Sequence, residues 1–191
     1  MSKLVDPVEL SNRIIDSGSS EHPHNRVTEE LCEVEDGVAV VESFSHCWAI
    51  KTQDGLVCVD ASGSGSGDSV VKAIRAWSKK AIHTLVYTHG HLDHVGGSGA
   101  FVKDAIDRSE KRPVFVAHEA VPKRFDRYRM TDDWNTLINN RQFGGITPSV
   151  GVGTTQIGIG RIGRSFVPED LAEPEVTYRD SLTLNIGGKC L

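Results

Sequence analysis

The sequence predicts an α/β fold, and three observations predict it. Short apolar runs separated by turn residues fill the stretch from Val27 to Asp60, as in an antiparallel meander. A helical apolar stripe and another strand-like run follow, making a strand–helix–strand unit whose two strands should be parallel. The second of those strands runs into Thr88-His89-Gly90-His91-Leu92-Asp93-His94-Val95-Gly96-Gly97, a loop crowded with metal-ligating residue types. The carboxyl ends of strands are where open α/β sheets place their sites.

The bulk numbers bound the reading. A chain of 191 residues, 38% of them hydrophobic, can bury one sizeable core. A formal charge of -5 leaves no basic footprint and argues against a dedicated nucleic-acid binder. No apolar run reaches membrane-spanning length, and the early acids Asp6 and Glu9 do not suit a signal peptide. Cys32, Cys47, Cys58 and Cys190 are widely spaced, with no Cys-x-x-Cys pair. They read as small buried hydrophobes in a reducing compartment, so a cytoplasmic location is expected.

Taken in order, residues 1–26 form a polar leader with a short helix around Val8 to Ile15. Its His22-Pro23-His24 reads as solvated surface. The domain proper is expected over 27–191. Glu35-Asp36-Gly37 is a turn before a strand from Val38 to Phe44. A second strand spans Cys47 to Lys51, Gln53-Asp54-Gly55 turns the chain, and Leu56 to Asp60 is a third. The Gly-Ser run from Gly63 to Gly67 lacks both the Rossmann spacing and the lysine of a P-loop, so a flexible turn is expected. Asp68 should cap a helix whose inward stripe is Val70, Val71, Ile74 and Trp77. Ile82 to Tyr87 is the strand that enters the loop.

Beyond Gly97 a helix should turn Phe101, Val102, Ala105 and Ile106 inward. Pro113 to Ala117 reads as a buried strand with His118 at its carboxyl end. Residues 119–140 make one or two helices, with Lys123, Arg124, Arg127 and Arg129 clustered around Phe125 and Tyr128. This cluster is either a solvated helix face or a positive rim that attracts an anionic substrate. The glycine-rich stretch 143–164 keeps no helix or strand period and is expected to be a mobile loop. Val176 to Tyr178 and Leu182 to Ile186 alternate like strands, and Gly187-Gly188 is a hairpin turn before a last arm of three residues.

The loop carries the chemistry. His89, His91, Asp93 and His94 lie within six residues and cannot share a helical face, because positions two apart on a helix diverge. They suit a loop wrapped around a metal; the alternative is a solvated histidine-rich turn. Neutral imidazole and carboxylate fit zinc, iron or manganese better than calcium, which takes an all-oxygen shell. Asp60 ends the neighbouring parallel strand, where it should hold a ligand imidazole or the loop itself in place.

The stretch Thr88 to Gly97 resembles the signature of the metallo-β-lactamase-fold hydrolases, His-x-His-x-Asp-His. The meander ending in Asp60, the following helix and the strand into the motif match that family's opening order. Ala117-His118-Glu119-Ala120 through Arg127-Tyr128-Arg129, and Val176-Thr177-Tyr178-Arg179-Asp180, look like the alkyl-sulfatase-like branch. The resemblance implies the N-terminal half of a four-layered αβ/βα sandwich, with the chain truncated before the second half. It implies that His89 and His91 bind one zinc ion and Asp93 and His94 a second, with Asp60 supporting the loop from behind. His118 matches no ligand position and is expected behind the ligands or at the surface; His46 could face the site. The implied reaction is hydrolysis of an ester-type bond (sulfate ester, carboxylic ester or thioester) by a metal-bound hydroxide, with Asp93 orienting the water. The family's later ligands are not found, since no histidine follows residue 118. The expected partners are therefore a small-molecule, anionic substrate and either a second copy or a second-half chain that completes the site. An impaired chain serving as a metal-binding or interaction module is the alternative.

Overall fold

The computed structural model describes residues 6–19, 26–143 and 165–191. Its centre is a seven-stranded sheet in the order β1-β2-β3-β4-β5-β6-β7. The helix in the leader, α1 (Pro7–Ser17), is capped by the Asp6 carboxylate, which accepts from the Val8 and Glu9 amides, and ends at Gly18 in the left-handed region. Strands β1 (Leu31–Glu35), β2 (Val38–Val41), β3 (Cys47–Lys51) and β4 (Leu56–Val59) form the antiparallel meander. β2 is shorter than its apolar run suggests. It stops at Val41, and residues 42–46 leave the sheet as a buried connection.

Helix α2 (Gly67–Trp77) then crosses to β5 (Ile82–Val86), which pairs parallel to β4 as expected. Asp68 does not cap α2. The N-cap position belongs to Ser66, and Asp68 sits in the first turn, where its charge still complements the helix dipole. The short α3 (Leu92–Val95) lies inside the histidine loop, and α4 (Ser98–Asp107) follows. Phe101 and Ala105 of α4 are buried and Val102 packs beside them, but Ile106 is 69% exposed. Five residues beyond Phe101 is too far round a helix to share its face. Strand β6 (Val114–His118), helices α5 (Ala120–Met130) and α6 (Asp132–Phe143), and β7 (Val176–Tyr178) complete the sheet and its cover, with β6 and β7 both parallel to their neighbours. The expected terminal hairpin is small: β8 (Asn185–Ile186) and β9 (Lys189–Cys190) dock on the β3–β4 turn, where the Gly187 amide donates to the Asp54 carboxylate. The glycine-rich stretch beyond Phe143, and His22 and His24 in the leader, lie outside the described residues.

One face of the sheet is built from the line Ala39, Ala49, Cys58, Leu85 and Phe115, all 0% exposed. Val70, Ile74, Phe101, Val121 and Phe125 of the helices pack with residues of this face in one core. The alternate line, Val40, Trp48, Val59, Val86, Val116 and Val176, faces the other way. It is apolar too but only partly covered: Val40 and Val116 are buried, whereas Trp48 and Val176 are exposed. The Gly-Ser run between β4 and α2 is a tight packing joint instead of a flexible turn. A side chain at Gly97 would meet the Ala61 carbonyl at 2.2 Å and the Gly67 Cα at 2.9 Å, so α2 and α4 begin where two backbones touch. That joint ties the carboxyl end of β4 to the histidine loop.

Candidate metal centre

The parallel pairing of β4 and β5 brings their carboxyl ends side by side, and everything of chemical interest gathers there. Asp60, one residue past β4, is 5% exposed and has φ 60°. Its Oδ1 accepts from the Thr88 amide at 2.8 Å and its Oδ2 from the Thr88 hydroxyl at 2.7 Å. The same Oδ2 lies 2.7 Å from His94 Nδ1. One carboxylate therefore clamps both ends of the loop. Backbone bonds close it further: the Ala61 amide donates to the His94 carbonyl, and the Gly97 amide to the Ser62 carbonyl. α3 is one turn long because the His91 carbonyl accepts from the His94 and Val95 amides before the chain reaches Gly96.

This turn gathers the imidazoles. The His89 ring centroid is 4.6 Å from that of His91 and 4.1 Å from that of His94. Asp93 Oδ2 is 3.5 Å from His94 Nε2 and accepts from the Ser45 hydroxyl at 3.0 Å. Burial, and then the charges of His94 and His91, push the His89 pKa below its ordinary value. Burial and the nearby Arg124 charge do the same for His91. Both are thus held as neutral imidazoles, the form that binds metal. The hydrogen bond to Asp60 raises His94 instead. By holding a proton on Nδ1, it leaves Nε2 as the free donor.

In kind, these residues fit a transition-metal ion: three imidazoles, one with Nδ1 tied to a buried carboxylate, beside a second carboxylate. They do not close into a cage. Among the described residues no group of three or more His, Cys, Asp or Glu side chains converges on a common metal position.

The other candidates lie elsewhere. His118 Nδ1 accepts from the Ala120 amide at 3.1 Å, and its ring meets Tyr178 edge-on at 5.7 Å, so it ties β6 to α5 and β7. His46 Nδ1 is bonded to the Ser43 carbonyl at 2.9 Å. Two contributors escaped the sequence reading, Thr88, which bridges Asp60 and His89, and Ser45. A usable signal for Ser45 existed. Three antiparallel strands reverse direction twice, so the β2–β3 connection must emerge at the same sheet edge as the end of β4.

The Metallo-beta-lactamase superfamily pattern matches residues 40–166, a span holding the meander from β2, the Asp60 clamp and the whole loop. The chain belongs to the metallo-β-lactamase superfamily. The linear primary-alkylsulfatase of Pseudomonas sp. (strain ATCC 19151) is 26% identical over 140 residues, covering 73% of this chain and 26% of that protein. The 2,4-dinitroanisole O-demethylase subunit alpha of Nocardioides sp. (strain JS1661) is 39% identical over 59 residues, or 30% of this chain and 18% of that one. The chain thus spans about a quarter or less of the length of these curated relatives. Among solved structures, a double mutant of the sec-alkyl sulfatase PisA1 superposes with TM-score 0.60 at 18% identity, covering 83% of this chain and 26% of that one. BJP-1, a subclass B3 metallo-β-lactamase of Bradyrhizobium japonicum, gives 0.53 at 19% identity, covering 84% and 49%. These structural likenesses establish the metallo-β-lactamase fold. Among the described residues no helix is long and apolar enough to cross a membrane.

Proposed function

We propose that this chain carries half of the metal centre of a hydrolase that cleaves an ester-type bond, with a sulfate ester as the leading substrate class. The observation that carries the reading is the three-imidazole cluster with His94 Nδ1 tied to buried Asp60. His89 and His91 would hold one ion, and Asp93 and His94 a second; zinc suits these donors, and iron or manganese is acceptable to them. When bound, such an ion polarises the scissile oxygen and supplies a water nucleophile near neutral pH. Asp60 fixes the tautomer and the orientation of His94. Ser45 fixes one oxygen of Asp93, leaving the other to orient the attacking water. The sulfate-ester preference draws on the alkylsulfatase relative and on the basic residues of α5.

A second reading is favoured by the absence, among the described residues, of three converging donors. Two protein ligands per ion is one short of the three usual at catalytic zinc. The missing donors would then come from a second copy or a second-half chain, and the 191 residues alone would bind metal without turnover. Loading the purified chain with zinc, measuring stoichiometry, and assaying 4-nitrophenyl sulfate, hexyl sulfate and 4-nitrophenyl acetate tests both. Zinc-dependent hydrolysis abolished by His89→Ala supports the first reading. Bound zinc without hydrolysis supports the second. Absence of stoichiometric zinc in wild type, or zinc binding unchanged in a His89→Ala/His94→Ala double variant, would sink both.

A further inference from the structure

We propose that Arg124 is the anchor for an oxyanion carried by the substrate, a specificity-determining residue beside the histidine loop; this rests on the hydrolase reading above. The side chain is half-buried, and its stem lies against the loop. A Cβ added at Gly90 would meet the Arg124 Cβ at 3.1 Å and its Cγ at 3.2 Å, so Gly90 leaves room for the arginine to run along the motif. The guanidinium sits over the buried Tyr128 ring, 4.9 Å from its centroid, which limits where the head can go. Its charge also acts on His91, in keeping with a head near the loop.

What sets Arg124 apart, among the described residues, is a buried guanidinium nitrogen without a hydrogen-bond partner. Three basic residues around it answer to carboxylates: Lys123 to Glu119, Arg129 to Asp126 and Glu173, Arg179 to Glu119. Among the described residues no carboxylate pairs with Arg124, and its Nε is buried with no hydrogen-bond acceptor. A buried guanidinium N–H without an acceptor is unfavourable unless something else supplies one. Arg127 pairs with no carboxylate among the described residues either, but it is exposed, where solvent can satisfy it. Guanidinium presents a planar fork that matches two oxygens of a sulfate or carboxylate, and stacking on an aromatic ring pre-organises it. Arg124 thus has a charge that no carboxylate answers among the described residues, a restricted orientation and a position on the motif's own backbone.

The test is an NMR titration of the 15N-labelled 191-residue chain with sodium sulfate and, separately, sodium acetate at constant ionic strength, with and without zinc. The Arg124 Nε–H signal should shift saturably with at least one anion, and the stronger of the two identifies sulfate or carboxylate as the group taken. Arg124→Gln should weaken that binding by about 10-fold or more, the size expected for losing a charge-assisted hydrogen bond. Arg124→Lys should retain part of it, and Arg127→Gln should leave it unchanged. Binding of neither anion, equal binding in Arg124→Gln, or equal losses in Arg124→Gln and Arg127→Gln would each overturn the proposal. The zinc-free titration reads Arg124 even if the loop fails to bind metal, so the two proposals fail separately.

Discussion

Replacing Asp60 by Asn should leave the fold standing and disable the loop. The Asp60 side chain is 7% exposed and accepts three hydrogen bonds, from the Thr88 amide, the Thr88 hydroxyl and His94 Nδ1. Asn keeps a carbonyl for the Thr88 amide, and its φ of 60° is one that Asn tolerates. Its NH2 group replaces the oxygen that faced Thr88 and His94. The Thr88 hydroxyl can rotate to accept from it. His94 can accept only by moving its proton from Nδ1 to Nε2, which removes the lone pair a metal would use. One charge-assisted hydrogen bond is exchanged for a neutral one, so the stability loss should be about 1–2 kcal/mol. Zinc affinity should fall by about 10–100-fold, as when the outer partner of a ligating histidine is lost. Asp60→Ala should cost more, about 3–5 kcal/mol, because it strands the Thr88 amide and puts Ala in the left-handed region. Urea unfolding gives the stabilities, chelator competition the affinity, and 15N shifts of the His94 ring the tautomer. An Asn variant whose His94 stays protonated on Nδ1, with zinc affinity within about twofold of wild type, would refute the reasoning.

Three further outcomes are expected. In the zinc-free chain, the raised His94 pKa contributes stability that is fully present below its unfolded value of about 6.5 and lost as pH rises through the folded value. The lowered His89 and His91 pKa values act oppositely, withdrawing stability as pH falls below about 6.5. Asp60→Asn removes the first effect and, by taking away a charge that partly offsets the lowering at His89, deepens the second, so as pH falls from about 8 to 5 it should lose stability more steeply than wild type in urea titrations; parallel curves would contradict this. Ser45→Ala, which frees Asp93, should change global stability by no more than about 1 kcal/mol yet lower zinc affinity by about 10-fold. Unchanged chelator competition would show that Ser45 is a bystander. Gly97→Ala should cost at least about 3 kcal/mol, since the new methyl meets two backbones that cannot rotate away. A variant that melts with wild type would disprove the tight joint.

Much of this was legible locally. Turn residues and alternating valines marked the meander, and the apolar stripe of α2 between two strands announced the parallel pair. The spacing of His89, His91, Asp93 and His94 marked a segment that cannot lie on one helical face, although Asp93 and His94 sit on the single turn of α3. Asp60 was visible as a carboxylate ending the adjacent strand. These features are written in short-range patterns, because strand alternation, turn geometry and ligand spacing each involve only a few consecutive residues. The tertiary structure decided what depends on meetings between distant segments. Ser45 reaches Asp93 across 48 positions, Gly97 lies on Ala61 and Gly67, and Arg124 packs on Gly90 while Lys123 and Arg129 find carboxylates. Nothing near Arg124 in the chain separates it from Lys123 or Arg127. What distinguishes it is the direction α5 leaves β6, which turns one basic side chain of the cluster toward the loop and leaves its Nε without an acceptor.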